Sequence, residues 1–84
     1  MNYFVYLIIS KKNKKLLSYV GYTNNLKKRI NVHNSSKGAK FTKGRVWKLA
    51  YYKKFISKSI AMKEEYKLKK NYKLRKKIKV EFNK

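Results

Sequence analysis

The chain is 84 residues long and sets twenty-five lysines and arginines against three acidic residues, for a formal charge of +22, with no cysteine and no proline. That length holds one small domain, residues 1–84, whose folding hides only about 60–65% of the unfolded surface, and the absence of cysteine excludes a disulfide framework or a thiolate metal site. Eight tyrosines, four phenylalanines and one tryptophan, in a chain 43% hydrophobic, exclude a disordered basic tail.

A field of this sign draws polyanions by releasing their counterions, which makes nucleic acid the partner implied by the charge. AT-rich coding favours Lys, Asn, Ile and Tyr and accounts for much of the lysine excess. It does not account for the absence of Asp and the scarcity of Glu. No segment approaches the roughly 20 apolar residues that span a bilayer. The apolar run Tyr3 to Ile9 has neither a preceding basic region nor a following cleavage site. The sequence therefore predicts a cytoplasmic protein with no membrane partner.

In chain order, Tyr3-Phe4-Val5-Tyr6-Leu7-Ile8-Ile9 is aromatic and β-branched without alternation, which predicts a central strand buried on both faces. Ser10 to Lys15 reads as a polar hairpin turn, and Leu16 to Tyr22 as a second strand antiparallel to the first. Thr23-Asn24-Asn25 offers a helix cap, and Leu26, Ile30 and His33 recur at spacings of four and three, predicting a first helix over 24–34. Asn34 to Lys40 is loop-forming by its Ser, Gly and Asn content. A third strand is predicted where Trp47, Leu49 and Tyr51 alternate with Lys48 and Ala50. Ser57 or Ser59 caps a second helix running to about Asn71, with Ile60, Ala61, Leu68 and Tyr72 as its apolar stripe. Lys73 to Val80 fits a short basic third helix. The predicted class is α+β: a small three-stranded antiparallel sheet flanked by helices, in the order β-β-α-β-α with a basic C-terminal helix or tail.

Two acids, Glu64 and Glu65, are adjacent on the second helix and about 100° apart around it. Ile60 favours Glu64 facing the apolar side and Ala61 favours Glu65, so spacing alone leaves the pair unresolved. Arg29 and His33 are four residues apart and share one face of the first helix. Tyr6 and Tyr19 fall in paired strands and can meet on one face of the sheet. A positive neighbourhood would make a phenol that ordinarily titrates near 10 available as a base.

Phe4-Val5-Tyr6, Tyr19-Val20-Gly21, Arg29, His33 and a helical Glu, in that order, resemble the GIY-YIG nuclease family over about residues 3–75. The short stand-alone bacterial branch is resembled most, through Arg29 to Asn34, Lys37-Gly38-Ala39-Lys40-Phe41-Thr42 and Ala61 to Lys69. Phe4 replaces a glycine of the first motif, and the hairpin between the motifs is longer than is usual in the family. The resemblance implies a metal-dependent endonuclease acting on DNA. Tyr6 is then the general base, Tyr19 orients water or phosphate, Arg29 pairs with the scissile phosphate, and His33 assists as a second base or phosphate donor. It also places the metal on Glu65, directly before the aromatic Tyr66, with one Mg²⁺ or Mn²⁺ completed by water and substrate. Glu64 is left as an ion-pair partner for Lys63 or Lys67.

Lys37, Lys40, Lys43, Arg45, Lys69, Lys70, Lys73 and Arg75 are the candidates for contacts to the nucleic-acid backbone. No residue code for reading bases stands out, so weakly selective binding is expected. The alternatives are a non-catalytic DNA- or RNA-binding protein on the same fold, and an RNA- or ribosome-associated basic protein or a subunit whose partner supplies specificity. One site cuts one strand, so a dimer or a protein partner is a further expectation for duplex cleavage.

Overall fold

The computed structural model describes residues 1–84. In chain order it contains β1 (Tyr3–Lys12), β2 (Lys15–Thr23), α1 (Leu26–Asn34), a short 3₁₀ turn (Lys40–Thr42), β3 (Lys48–Phe55), α2 (Lys58–Lys70) and α3 (Tyr72–Phe82). The strands form one antiparallel sheet in the order β2-β1-β3. The class is α+β, with the predicted element order.

Because β1 is the middle strand, every residue from Val5 to Ile9 is buried, which is why its sequence does not alternate. Val5, Leu7 and Ile9 point to one face and pack with Val20, Ala61, Leu68 and Ile78, so α2 and α3 cover that side. Tyr6 and Ile8 point to the other and pack with Trp47 and the half-buried Leu17, Tyr19, Leu26 and Ile30, so α1 covers this one. At about 1.5–3 kcal/mol for each large apolar side chain fully buried, this strand anchors both layers.

Local chemistry sets the element ends. Asn25 caps α1 by accepting from the Lys28 N–H at 3.1 Å, so the helix proper begins at Leu26, two residues later than its predicted start. Ser57, rather than Ser59, caps α2 by accepting from Ile60 N–H, and Asn71 both ends α2 and caps α3. The hairpin corrects the sequence reading: β1 and β2 remain paired out to Lys12 and Lys15, and the turn is only Asn13-Lys14, both at positive φ. The basic residues read as turn are the solvent-exposed end of a long two-stranded ribbon. The third strand also departs from simple alternation. Tyr51 pairs with Leu7 but Leu49 pairs with Ile8, so Ala50 is the extra residue of a bulge. Tyr51 and Ala50 thereby both turn towards the α2 and α3 side, while Trp47 packs on the α1 side. Ile60 and Tyr72 are exposed rather than part of the α2 stripe, which rests on Ala61 and Leu68. No helix is long and apolar enough to cross a membrane.

Candidate active site

The sheet register places Tyr6 opposite Gly21 and Ile8 opposite Tyr19, so Tyr6 and Tyr19 are diagonal neighbours on the α1 face. The glycine is what makes room. A Cβ on Gly21 would lie 2.5 Å from the Tyr6 hydroxyl oxygen and 2.7 Å from its Cζ. The third residue of Tyr19-Val20-Gly21 is therefore a gap over which the Tyr6 phenol extends.

His33 of α1 meets that phenol. It is fully buried, its Nε2 is 2.8 Å from the Tyr6 hydroxyl and its Nδ1 is 3.0 Å from the Thr42 hydroxyl. The direction of these bonds follows from Thr42, whose single hydroxyl proton is donated to the Ala39 carbonyl at 2.8 Å. Thr42 must then accept from His33 Nδ1–H, which leaves Nε2 as an acceptor and the Tyr6 hydroxyl as the donor. A chain of oriented hydrogen bonds runs from Tyr6 through His33 and Thr42 to the backbone. Both ring nitrogens are spent on it, so His33 supports the phenol and has no donor free for a phosphate. Burial, with the Arg29 charge second, holds the His33 pKa below its ordinary value, which keeps the imidazole neutral and able to accept.

The loop that supplies Thr42 is fastened at both ends. The Asn34 side chain donates to the Trp47 carbonyl at 3.0 Å and accepts from the Trp47 N–H, and the Trp47 indole donates to the Thr42 carbonyl at 2.9 Å. Gly38 is required where this loop crosses α1, since a Cβ there would lie 2.6 Å from His33 Nδ1. Neither Thr42 nor Gly38 stood out in the sequence as a site residue. Both fall in the Lys37–Thr42 block of the family resemblance, but their contact with His33, across separations of nine and five residues through a loop, is what gives them a role.

Tyr19 packs edge-on to the His33 ring, with centroids 5.1 Å apart, and remains half-exposed. Arg29 lies close enough to Tyr6 to pull its pKa down and also lines an open cavity of about 450 Å³ with Lys58, Tyr22 and Asn24. Lys58 is a second cation there that sequence reasoning missed. Glu65 is half-buried, its Oε1 is 3.6 Å from Lys69 Nζ, and its charge reaches Tyr6. Glu64 instead pairs with Lys67 at 3.1 Å and lines a separate groove against Val5 and Leu68. The two adjacent glutamates thus face different surroundings.

The expectation that neighbouring cations make the Tyr6 proton labile is corrected. Burial is the largest influence and pushes the phenol above its ordinary value; Arg29 pulls it down, and Tyr19 and Glu65 add smaller upward pushes. No three His, Cys, Asp or Glu side chains gather to ligate a metal. The donor set around Tyr6 is therefore a single carboxylate, Glu65, which fits an ion that keeps most of its waters, such as Mg²⁺, and not a closed tetrahedral cage.

The predicted backbone-contact residues divide into groups. Lys37, Lys40 and Lys43 are exposed on the loop that holds Thr42, but Arg45 is tied down by donating from Nε to the Ser10 hydroxyl at 3.2 Å. Lys69 and Arg75 line a cleft beside Tyr19. Lys70 lies over the Tyr66 ring at 4.8 Å, and Lys73 is exposed on α3.

A family model described as the GIY-YIG catalytic domain matches residues 2–79. The chain belongs to the GIY-YIG family. Among GIY-YIG relatives, the UPF0213 protein OB0043 of Oceanobacillus iheyensis is 55% identical over 51 residues, covering 60% of this chain and 59% of that protein. The UPF0213 protein SH2523 of Staphylococcus haemolyticus is 45% identical over 67 residues, covering 79% and 78%. A solution NMR structure of the UPF0213 protein BH0048 from Bacillus halodurans is 38% identical, with a TM-score of 0.49 over 98% of this chain and 85% of that one. GIY-YIG domains are nuclease domains that act on nucleic acids, and the chain matches short bacterial members of the family.

Proposed function

We propose that this chain is a metal-dependent endonuclease that hydrolyses phosphodiester bonds in DNA. The observation that carries the proposal is the buried 2.8 Å hydrogen bond from Tyr6 to a neutral, oriented His33. A phenol of ordinary pKa is ionised to only about 0.1% at pH 7, and Tyr6 is raised further by burial, so a standing tyrosinate is too scarce to be the base. The paired arrangement removes that difficulty. As Tyr6 takes a proton from the attacking water, its own proton passes to His33 Nε2, and Thr42 holds the imidazole in the accepting tautomer.

Tyr19, beside His33 and half-exposed, orients the water or the phosphate. Arg29, with Lys58 on the same cavity, binds the scissile phosphate, since a guanidinium matches two phosphate oxygens at once. Glu65 holds one Mg²⁺ or Mn²⁺, which supplies charge neutralisation on the phosphate and the leaving oxygen when bound. With one protein carboxylate, metal affinity depends on nucleic acid being present. The exposed lysines of the 35–47 loop and of α3 contact the backbone and position it.

Wild type and Glu65→Ala, incubated with nicked, branched, single-stranded and duplex substrates in Mg²⁺, Mn²⁺ or chelator, test this reading. The variant should bind and fail to cut. Equal cleavage by both removes Glu65 from the mechanism. The burial that raises Tyr6 favours a second reading, a non-catalytic DNA- or RNA-binding protein on the same fold, and absence of cleavage of every substrate by wild type selects it.

A further inference from the structure

Beside the Tyr6–His33 pair lies an open cleft of about 260 Å³ between the outer strand β2, the 3₁₀ turn and the two C-terminal helices. Its walls differ in chemistry. On one side Phe41 is 53% exposed, yet it is held in place by stacking on Tyr19, at 6.3 Å and 22°, and by Trp47 behind it at 6.1 Å. Trp47 is itself pinned by its indole bond to the Thr42 carbonyl. Phe41 is therefore a largely exposed aromatic ring, lined up with Tyr19 and flanked by Trp47, on the wall of the cleft.

On the other side stand Lys69 of α2 and Arg75 of α3. The Arg75 Nε is buried and has no hydrogen-bond partner, while its guanidinium carbon lies 5.9 Å from the Tyr72 ring. Because that Nε is closed to solvent, it is the outer part of the half-buried guanidinium that Arg75 presents to the cleft, as a charge for an anion to meet.

An ordered aromatic face opposite two cations is the combination that receives a base and its phosphate together. We propose that this cleft binds one unpaired nucleotide, with its base stacked on Phe41 and its phosphate on Arg75 and Lys69. The preference for an unpaired nucleotide follows from stacking: a base inside a duplex has both faces covered by its neighbours, so it has none to offer Phe41. Tyr19 belongs to the cleft and to the candidate active site, and Lys69 touches the candidate metal carboxylate. The nucleotide therefore sits next to the bond to be cut, and the substrate class is nucleic acid with single-stranded character at the cleavage point. This rests on the nuclease reading for its consequence, although the binding itself does not require cleavage.

The test is fluorescence anisotropy in chelator, with a labelled oligothymidylate of about twelve nucleotides and a duplex of equal length. Phe41→Ala should weaken single-strand binding about tenfold, within the roughly 5- to 150-fold that loss of one stacked base produces, and leave duplex binding within about twofold. Phe41→Trp should retain single-strand binding and show indole quenching on adding the oligothymidylate. Arg75→Gln should lower the slope of log affinity against log salt by about 0.7, the value for one single-strand phosphate contact. Equal losses on both nucleic acids, an unquenched Phe41→Trp, or an unchanged salt slope for Arg75→Gln each overturn the proposal. Because no metal is present, this outcome is separate from the nuclease reading: cleavage without Phe41 discrimination sinks the cleft alone, and discrimination without cleavage sinks the nuclease alone.

Discussion

Tyr6→Phe deletes one oxygen and reports on the stability and the chemistry of the site together. The hydroxyl is the donor to His33 Nε2, and His33 is fully buried, so the variant leaves that acceptor unpaired. An unsatisfied buried group costs about 1–3 kcal/mol. For a chain of this size, each 1 kcal/mol moves Tm by about 4–8 °C, so the midpoint should fall by roughly 4–24 °C. Against a total stability of about 5–15 kcal/mol, the variant stays predominantly folded at 25 °C, and unfolding lowers the rate by far less than tenfold. Loss of the general base, by contrast, should slow cleavage by about 10²–10⁴. Thermal unfolding by circular dichroism and single-turnover cleavage well below the variant's midpoint measure the two effects separately. A folded Tyr6→Phe that cuts within about tenfold of wild type refutes the role given to the phenol. An unchanged Tm refutes the claim that the hydrogen bond is buried and matched.

Gly21→Ala forces its Cβ against the Tyr6 hydroxyl, so it should cost about 1–3 kcal/mol in denaturant unfolding and slow cleavage with it; wild-type behaviour on both counts shows that the phenol does not lie over Gly21. His33 titrates below its ordinary 6.5, so between those two pH values the unfolded chain binds more protons than the folded one. Stability should consequently fall as pH drops below about 6.5, and urea midpoints for wild type and His33→Gln over about pH 5–8 should converge towards the acid end. Glu64→Gln removes a pair whose lysine is largely exposed, so cleavage should remain within about twofold, whereas Glu65→Gln should abolish metal-dependent cleavage in the same assay. Affinity for any nucleic acid should drop steeply between low and physiological salt, and a flat titration contradicts backbone contact.

Where covalent neighbours decide the outcome, the sequence was readable. The unalternating run from Val5 to Ile9 marked a strand with two covered faces, and the oxygens of Thr23-Asn24-Asn25 and of Ser57 or Ser59 marked the helix starts to within about two residues, the caps being Asn25 and Ser57. Features decided by pairing partners were hidden. Nothing at Ala50 signals a bulge, because its cause is the register against Leu7 and Ile8, and Lys11 and Lys12 read as turn because the ribbon end they occupy is solvated on both sides. The same division runs through the site. Tyr6, Tyr19, Arg29, His33 and Glu65 were nominated by motif resemblance, while Thr42, Gly38 and Lys58 owe their places to packing between distant segments. The direction of the Tyr6 shift was also out of reach, since it depends on burial outweighing the Arg29 charge.

The imidazole between Tyr6 and Thr42 has a bearing on when such a basic chain acquires its candidate site. Its two hydrogen bonds join residues 27 and nine apart, from a strand, a helix and a loop, and none of these is adjacent before the tertiary structure closes. During synthesis the chain already carries the positive charge that draws it to nucleic acid, but its phenols are ordinary and its histidine is solvated and unaligned. Attraction comes with composition and the site comes with folding, so an unfinished chain can adhere to a polyanion without presenting the Tyr6–His33–Thr42 arrangement.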